Sequence, residues 1–243
     1  MEATYTIGDI HGADKALTQL IDRLDLHRDD RLIFIGDYVD GWSESAQVID
    51  RLIELDSKYE CIFIKGNHDA WCELWLETGS TNKLWLDNGG AATIESYRNI
   101  PEERRAVHLD FFKKMKMYYV DEQNRLFVHA GFSSIQGPDK EPYESNYFWD
   151  RTLWEMAICM DNRIEKNSLL YPKRLLLFHE IFIGHTPTLR YDSTVPMQGC
   201  NVWNVDTGAA FTGKISALNI DTKEFRQSDS CQSLYPEEKG RNK

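Results

Sequence analysis

Five short polar clusters in the sequence carry side chains that could bind metal ions. They are G-D-I-H-G (8–12), G-D-Y-V-D (36–40), G-N-H-D (66–69), H-A-G (129–131) and G-H-T (184–186). The candidate ligands in them are Asp9, His11, Asp37, Asn67, His129 and His185. This set of oxygen and imidazole donors, with no thiolate, suits Mn²⁺, Fe or Zn²⁺ better than a soft metal. Because six ligands are too many for one open catalytic metal, we predict two divalent ions that share the Asp37 carboxylate.

Each cluster follows a short apolar run that is typical of a buried strand. These runs are rich in β-branched or aromatic residues and bounded by glycine: TYTIG (4–8), RLIFIG (31–36), ECIFIKG (60–66), RLFVHAG (125–131) and EIFIGH (180–185). Further strands are predicted at 201–206 and 213–220. Loops at the carboxyl ends of strands in an open α/β sheet converge in space. We therefore expect residues from all five clusters to meet in one crevice.

Helical patterns separate the predicted strands. Residues 17–24 place leucine and isoleucine at the i, i+3, i+4 and i+7 positions of one helix face. A second helix is predicted to carry Val48, Ile49, Leu52 and Leu55, after a candidate N-cap at Ser43. This alternation predicts an α/β fold with crossover helices. Residues 69–117 are mostly helical in pattern, and we expect them to form a helical insertion over one end of the sheet.

The chain contains no internal repeat and no linker rich in Pro, Gly or Ser that would divide it. We expect a single domain over residues 1–225, followed by a polar C-terminal tail over residues 226–243 that frays. Residues 139–175 are polar and aromatic, with a helix predicted near 151–160.

In their order and composition, the five clusters resemble the motifs of the calcineurin-like metallophosphoesterases. The resemblance is to the phosphoprotein phosphatase type, in its bacterial and phage serine/threonine phosphatase branch, and it covers residues 4–220. It implies a four-layer α-β-β-α sandwich, with the helical insertion at 69–117. It also implies a hydrolase that attacks phosphate esters with a hydroxide bridging a dinuclear metal centre.

The resemblance also implies a role for each candidate residue. The first metal ion would be held by Asp9, His11 and Asp37, and the second by Asp37, Asn67, His129 and His185. Asn67 would also contact the substrate phosphate. His68 would be the general acid that protonates the leaving group, and Asp40 would orient its imidazole. The expected cofactor is a pair of Mn²⁺ ions, with Fe or Zn²⁺ as alternatives.

One position departs from the family pattern. Most relatives place a phosphate-binding arginine directly after the second cluster, but this chain has Gly41 there. A charge-assisted hydrogen bond is worth about 1.5–3 kcal/mol, so its loss would weaken phosphate binding by about tenfold to a hundredfold. The W-D-R stretch ending at Arg151 resembles a second phosphate-binding site of the bacterial branch and nominates Arg151. The alternative is a surface arginine paired with Asp150 or Glu155.

Aromatic residues near the clusters leave further choices open. Tyr38 and Trp42 flank the second cluster, and either line the rim of the pocket or pack in the core. Trp71 and Trp75 lie at helical spacing, for which we expect core packing instead of a platform for substrate.

Composition limits the classes of partner. The chain of 243 residues has 28 basic and 39 acidic residues, a net charge of -11, which argues against stable binding of nucleic acid or anionic lipid through a broad basic face. Five cysteines without a C-x-x-C pair predict no disulfide framework. With neither a recognisable signal peptide nor a stretch of about 18 apolar residues, we expect a cytoplasmic protein without a membrane partner.

The functional prediction is a serine/threonine-type protein phosphatase acting on phosphorylated proteins. The missing arginine at position 41 keeps an alternative open, a hydrolase of dinucleoside polyphosphates or other nucleotide phosphoesters. A third possibility is a scaffold that has lost catalysis. The presence of every candidate ligand and of the candidate acid argues against that reading.

Overall fold

Two sheets of five strands each lie at the centre of the protein, whose computed structural model describes residues 2–242. The first sheet contains β1 (Thr4–Ile7), β2 (Arg31–Phe34), β3 (Glu60–Phe63), β9 (Ser216–Asn219) and β10 (Phe225–Gln227). The second sheet contains β4 (Tyr118–Val120), β5 (Arg125–Val128), β6 (Glu180–Ile183), β7 (Met197–Gly199) and β8 (Val202–Asn204). Their spatial orders are β10-β9-β1-β2-β3 and β4-β5-β6-β8-β7.

In each sheet three neighbouring strands run parallel and the other two pair antiparallel. Strands β1, β2 and β3 run parallel, as do β5, β6 and β8, whereas β9, β10, β4 and β7 pair antiparallel with their neighbours. All seven strands predicted from the sequence are present. They divide between two sheets, as the family resemblance implied.

Nine α-helices connect or cover the sheets in the described part of the chain. They are α1 (Asp14–Leu24), α2 (Ser45–Asp56), α3 (Asn67–Thr78), α4 (Lys83–Trp85), α5 (Ala91–Ser96), α6 (Glu102–Lys114), α7 (Asn146–Trp149), α8 (Thr152–Cys159) and α9 (Cys231–Leu234). Helices α3 to α6 form the predicted insertion. Helix α2 begins at Ser45, and the Ser43 hydroxyl donates to Glu238 Oε1 at 2.7 Å instead of capping the helix. No helix within residues 2–242 combines the length and apolar character that crossing a membrane requires.

Three apolar cores separate four layers. The core between the sheets contains Ile33, Ile35, Ile62, Ile64, Phe127, Phe182, Val205, Leu218 and Ile220. A second core packs the first sheet against α1, α2 and the insertion, and a third packs the second sheet against α8. The order of layers is helix, sheet, sheet, helix. This is the four-layer α-β-β-α sandwich that the resemblance implied.

The end of the chain differs from the expected fraying tail. Residues 226–242 pack against the domain: β10 pairs with β9, and Cys231 and Tyr235 are buried. The Tyr235 ring stacks on Trp42, with ring centroids 5.2 Å apart. The segment is polar overall, but these two side chains pack into the core beside the first sheet.

We expect Phe182→Ala to lower the free energy of unfolding by about 3–5 kcal/mol, because it removes an aromatic ring from between the two sheets. Phe182 is fully buried and stacks on Phe127 with ring centroids 4.9 Å apart. Urea denaturation followed by circular dichroism measures the change. Phe225→Ala is the control, since Phe225 is 38% exposed and its removal should cost far less. Equal losses in both variants would contradict this account of the core.

Candidate functional site

The five clusters meet at the carboxyl ends of strands from both sheets. Asp9 and His11 follow β1, Asp37 and Asp40 follow β2, Asn67 and His68 open α3 after β3, and His129 and His185 follow β5 and β6. None of these eight side chains belongs to a residue more than 8% exposed. The crevice predicted from the sequence is therefore present, with all six candidate ligands and both candidate acid residues in it.

Asp37 lies at the centre of the crevice. Its Oδ2 is 3.7 Å from His11 Nε2, 4.0 Å from His68 Nε2 and 3.3 Å from His129 Nε2. Two groups of potential ligand atoms, each within 4.8 Å of one another, share this carboxylate: one with His11 and His68, the other with His129 and His185. The arrangement agrees with the expected position of Asp37 between two metal ions.

The other two candidate ligands adjoin these groups. Asp9 Oδ2 lies 3.8 Å from His11 Nε2 and accepts a hydrogen bond from the amide of His185 at 3.2 Å. Asn67 Oδ1 lies 3.3 Å from His129 Nε2. All six predicted ligands thus face one volume, and His68 Nε2 faces it as well.

The histidine tautomers suit a bound cation. Nδ1 of His129 donates to the carbonyl of Ile35, and Nδ1 of His11 donates to the carbonyl of Asp40, each at 2.9 Å. This leaves Nε2 of both rings with a lone pair directed at the carboxylates, which is how metal-binding histidines are oriented by a second hydrogen bond. Among the described residues, the buried Nε2 of His185 has no hydrogen-bond partner. The donor set fits hard or borderline divalent ions.

Four buried carboxyl groups lie close together in the crevice, and their pKa values are shifted. Burial, together with repulsion from Asp206 and Asp37, raises the pKa of Asp9 well above its usual value. Burial and the charge of Asp37 raise the pKa of Asp69 to about 7, and that of Asp206 to about 6. For Asp37 burial acts in the same upward sense, but the nearby His129 and other imidazoles outweigh it and hold its pKa well below the usual range. A divalent cation would stabilise all four carboxylates in their charged form.

Asp206 was not among the candidate residues from the sequence. It follows β8 and lines the pocket, with its Oδ1 accepting from the amide of Gly208 at 2.9 Å. The signal that could have identified it was present, because an acidic residue at the end of the predicted strand at 201–206 resembles the pattern of the first two clusters.

The loops that carry the site adopt strained backbone conformations. His11, Asp37, Asp40 and His185 have φ angles of +55°, +54°, +73° and +67°. Such conformations cost non-glycine residues about 1–3 kcal/mol each and persist where the surroundings hold them. Asp69 supplies part of that support, because its carboxylate accepts hydrogen bonds from the amides of Asp37 at 2.7 Å and Tyr38 at 2.9 Å.

Two glycines allow the central carboxylates to approach the backbone. A Cβ atom at Gly66 would lie 2.2 Å from Asp37 Oδ1, and one at Gly184 would lie 2.2 Å from Asp9 Oδ1. No side chain fits at either distance. Gly66 is therefore required for the position of the Asp37 carboxylate, and Gly184 for that of Asp9.

His68 and Asp40 form a hydrogen-bonded pair at the side of the crevice. His68 Nδ1 donates to Asp40 Oδ2 at 2.6 Å, which leaves Nε2 facing the site. Asp40 also accepts from Trp85 Nε1 at 2.7 Å and from the Thr93 hydroxyl at 2.6 Å. Both of these partners come from the helical insertion, and no pattern in the sequence indicated them. The carboxylate of Asp40 is thus engaged by the ring, the indole and the hydroxyl, as expected of a residue that orients His68.

Arg151 lines the pocket, and it forms no ion pair in the described part of the chain. The alternative pairing with Asp150 is absent. Asp150 instead accepts from the amides of Thr152 at 3.0 Å and Leu153 at 3.1 Å at the start of α8, and lies 3.5 Å from Arg174 Nη1. The buried Nε of Arg151 has no hydrogen-bond partner within residues 2–242.

Two further arginines, which sequence reasoning missed, share the pocket with Arg151. Arg190 follows the β6 loop, and Arg241 belongs to the C-terminal segment. Burial, with repulsion from these two side chains, lowers the pKa of Arg151 from its ordinary value. The local positive charge that an acidic protein needs for an anionic substrate is therefore present in this pocket of ≈ 190 Å³.

The aromatic expectations are partly corrected. Tyr38 and Trp42 are fully buried instead of lining the rim: Tyr38 donates to the Ile64 carbonyl at 2.6 Å and Trp42 to the Ala209 carbonyl at 2.7 Å. Trp75 packs in the core as expected. The expectation for Trp71 was wrong, because Trp71 lies one turn after His68 on the face of α3 that lines the pocket. Helical spacing alone does not distinguish that face from the core.

The sequence model of the calcineurin-like phosphoesterases matches residues 4–206. The chain belongs to this family. Two curated relatives are named bis(5′-nucleosyl)-tetraphosphatase PrpE (asymmetrical). One, from Halalkalibacterium halodurans, is 28% identical over 95% of this chain and 95% of its own length. The other, from Oceanobacillus iheyensis, is 24% identical over 95% of this chain and 94% of its own length.

Solved structures agree with the family's fold. A protein serine/threonine phosphatase from Saccharomyces cerevisiae superimposes with a TM-score of 0.62 at 13% identity, over 94% of this chain and 80% of its own. A metallophosphoesterase from Sphaerobacter thermophilus gives a TM-score of 0.56 at 15% identity, over 96% and 93%. At these identities the likeness shows the fold. The protein is accordingly a metal-binding hydrolase of the calcineurin-like phosphoesterase family.

We expect Mn²⁺ to stabilise the protein through the crevice. At about 100 times its dissociation constant, a ligand that binds only the folded state contributes about 2.7 kcal/mol, which would raise the melting temperature by about 5–10 °C. Differential scanning fluorimetry with and without Mn²⁺ measures the shift. His129→Gln should remove most of it, whereas His108→Gln, which alters a buried histidine bonded to Tyr97 outside the site, should retain it. Equal shifts in the two variants would place the metal elsewhere.

Proposed function

We propose that the protein hydrolyses dinucleoside polyphosphates, and in particular that it cuts bis(5′-nucleosyl) tetraphosphates asymmetrically, into a nucleoside triphosphate and a nucleoside monophosphate. The observation that carries the proposal is the set of three arginines, Arg151, Arg190 and Arg241, in the pocket beside the candidate metal site. Within residues 2–242, none of the three forms an ion pair with a carboxylate.

Three unpaired guanidinium groups exceed what a single phosphate requires. A phosphate monoester carries a charge of about -1.5 to -2 near neutral pH, and one bidentate arginine together with metal ions can bind it. A polyphosphate chain presents further anionic groups in a row, and each can accept hydrogen bonds from its own arginine.

Two tryptophans support a nucleoside on the same substrate. Trp71 and Trp149 line the pocket, with ring centroids 5.2 Å apart, and Trp149 is 40% exposed. Aromatic side chains at a pocket opening can stack on a base, an interaction worth about 1–3 kcal/mol in nucleic-acid complexes. A phosphoserine peptide offers no comparable planar group next to its phosphate.

The curated relatives favour the same choice. Their printed name, bis(5′-nucleosyl)-tetraphosphatase, agrees with the alternative drawn from the sequence better than with its main prediction. The serine/threonine-type protein phosphatase remains a second candidate. Its support is the likeness to the yeast phosphatase, which at 13% identity concerns the fold.

We assign the candidate ligands as the family resemblance implies. Asp9, His11 and Asp37 would hold one divalent ion, and Asp37, Asn67, His129 and His185 would hold the other, with Mn²⁺ as the proposed metal. When bound, such a pair polarises the phosphoryl oxygens and lowers the pKa of a bound water toward about 7. Arg151 and Asn67 would bind and orient the phosphate. Trp71 packs edge-on against His68, with ring centroids 5.2 Å apart.

His68 is proposed to protonate the leaving oxygen. Its Nε2 faces the site, and the hydrogen bond from Nδ1 to Asp40 fixes the orientation of the ring. Trp85 and Thr93 in turn fix Asp40. A rigid acid of this kind contributes most when the leaving group is a strongly basic alkoxide.

The test is a substrate panel with the Mn²⁺-loaded protein. Bis(5′-adenosyl) tetraphosphate should have a kcat/KM at least about a hundredfold above that of a phosphoserine peptide, a difference equivalent to about 2.7 kcal/mol. Chromatography of the products should show adenosine triphosphate and adenosine monophosphate. Two molecules of adenosine diphosphate would contradict asymmetrical cleavage, and a preference for the phosphopeptide would reverse the choice of function.

We expect His68→Asn to lose about a hundredfold or more in rate on an alkyl phosphate. The loss should be smaller on p-nitrophenyl phosphate and on the tetraphosphate, because their leaving groups are weakly basic and need little protonation. Steady-state kinetics on the three substrates, with metal content measured by mass spectrometry, test this. His27→Asn, at an exposed position, is the control. Equal losses on all three substrates would remove His68 from the acid role.

A further inference from the structure

Arg241 reaches the pocket from a segment far from every sequence cluster. Its amide donates to the carbonyl of Ala210 at 2.8 Å, and its Nη2 donates to Asn88 Oδ1 at 3.0 Å. The centre of the guanidinium lies 5.5 Å from the ring centroid of Phe211. These neighbours are neutral, so they orient the guanidinium without cancelling its charge.

The segment that carries Arg241 is attached to the loop that follows Asp40. The Tyr235 ring stacks on Trp42, and its hydroxyl accepts from the amide of Lys15 at 2.9 Å. Glu238 accepts hydrogen bonds from the amide of Ser43 at 3.0 Å and from its hydroxyl at 2.7 Å. These contacts place residues 235–241 alongside the second cluster.

Arg241 lies next to the glycine that replaces the expected arginine. Gly41 has a φ angle of +122°, and a Cβ atom built on it would lie 3.4 Å from Arg241 Cγ. A side chain at position 41 would therefore contact the aliphatic part of Arg241. Because glycine has no side chain, that space is left to Arg241.

We propose that Arg241 is a substrate-binding residue, which supplies from the C-terminal segment a guanidinium for a phosphate group that no side chain at position 41 can bind. Residues 235–241 are then part of the active site. The inference deepens the proposed function, since a polyphosphate chain is the substrate class that takes the largest benefit from a third arginine.

The free hydrogen-bonding capacity of Arg241 supports this role. A guanidinium has five N–H donors, and its hydrogen bond to Asn88 uses only one of them. No carboxylate lies within ion-pair distance of it in the described part of the chain. Arg151 and Arg190 line the same pocket, so the three guanidinium groups repel one another until an anion lies between them.

The experiment measures competitive inhibition of p-nitrophenyl phosphate hydrolysis by inorganic tripolyphosphate, with Mn²⁺ in excess. In Arg241→Ala and Arg241→Gln the inhibition constant should rise about tenfold or more, as expected for loss of a charge-assisted hydrogen bond. The KM for p-nitrophenyl phosphate should change less than the inhibition constant does. Arg241→Gln retains a side-chain amide that can bond Asn88, and so separates loss of charge from loss of local structure.

Lys239→Ala is the matched control, because it removes one exposed positive charge from the same segment without touching the pocket. Its inhibition constant should equal that of the unmodified protein. If Arg241→Gln, folded and active on p-nitrophenyl phosphate, bound tripolyphosphate as tightly as Lys239→Ala, the role of Arg241 would be overturned. If the protein failed to cleave dinucleoside tetraphosphates but Arg241→Gln still lost affinity for tripolyphosphate, the proposed function would fail and this inference would stand.

Discussion

The burial of the Asp37 carboxylate among three imidazoles is the constraint on which the rest of the site depends. A charged carboxylate in a buried position is costly unless it is paired and hydrogen-bonded. The amide of His68 donates to Oδ1 at 3.0 Å, and the Nε2 atoms of His11, His68 and His129 lie within 4.0 Å of Oδ2. A divalent cation bound among these atoms would offset the rest of the cost. The geometry requires a left-handed backbone at Asp37 and a glycine at position 66, so one side chain determines the conformation of two loops.

Negative and positive side chains occupy different parts of the site, whatever the net charge of the chain. A chain with a net charge of -11 presents carboxylates at the base of the crevice and three arginines in the pocket around it. The carboxylates suit cations and the arginines suit the anion that those cations would activate. Because the low dielectric of a partly closed pocket strengthens both attractions, the overall charge has little influence on what binds there.

Parts of the chain outside the motif-bearing loops complete the site. Trp85 and Thr93, in the insertion, fix the carboxylate that orients His68. The C-terminal segment, held by the stack of Tyr235 on Trp42, brings Arg241 to the pocket. The buried positions of Trp42 and Tyr38 follow from this arrangement, since Trp42 anchors the returning segment and Tyr38 bonds the carbonyl of Ile64 under the loop.

The sequence alone was sufficient for the seven strands that it predicted, for the insertion and for the meeting of the six candidate ligands in one crevice, because each candidate lies within a few residues of a strand end and local patterning marks both. It was not sufficient for Arg190, Arg241 or Trp71, nor for the packed C-terminal segment. The positions of these residues and of this segment depend on contacts between distant parts of the chain, which neither hydrophobic periodicity nor motif spacing predicts. Arg241 is the clearest example: it lies 200 positions from Gly41 in the sequence, and only the folded chain places the two side by side.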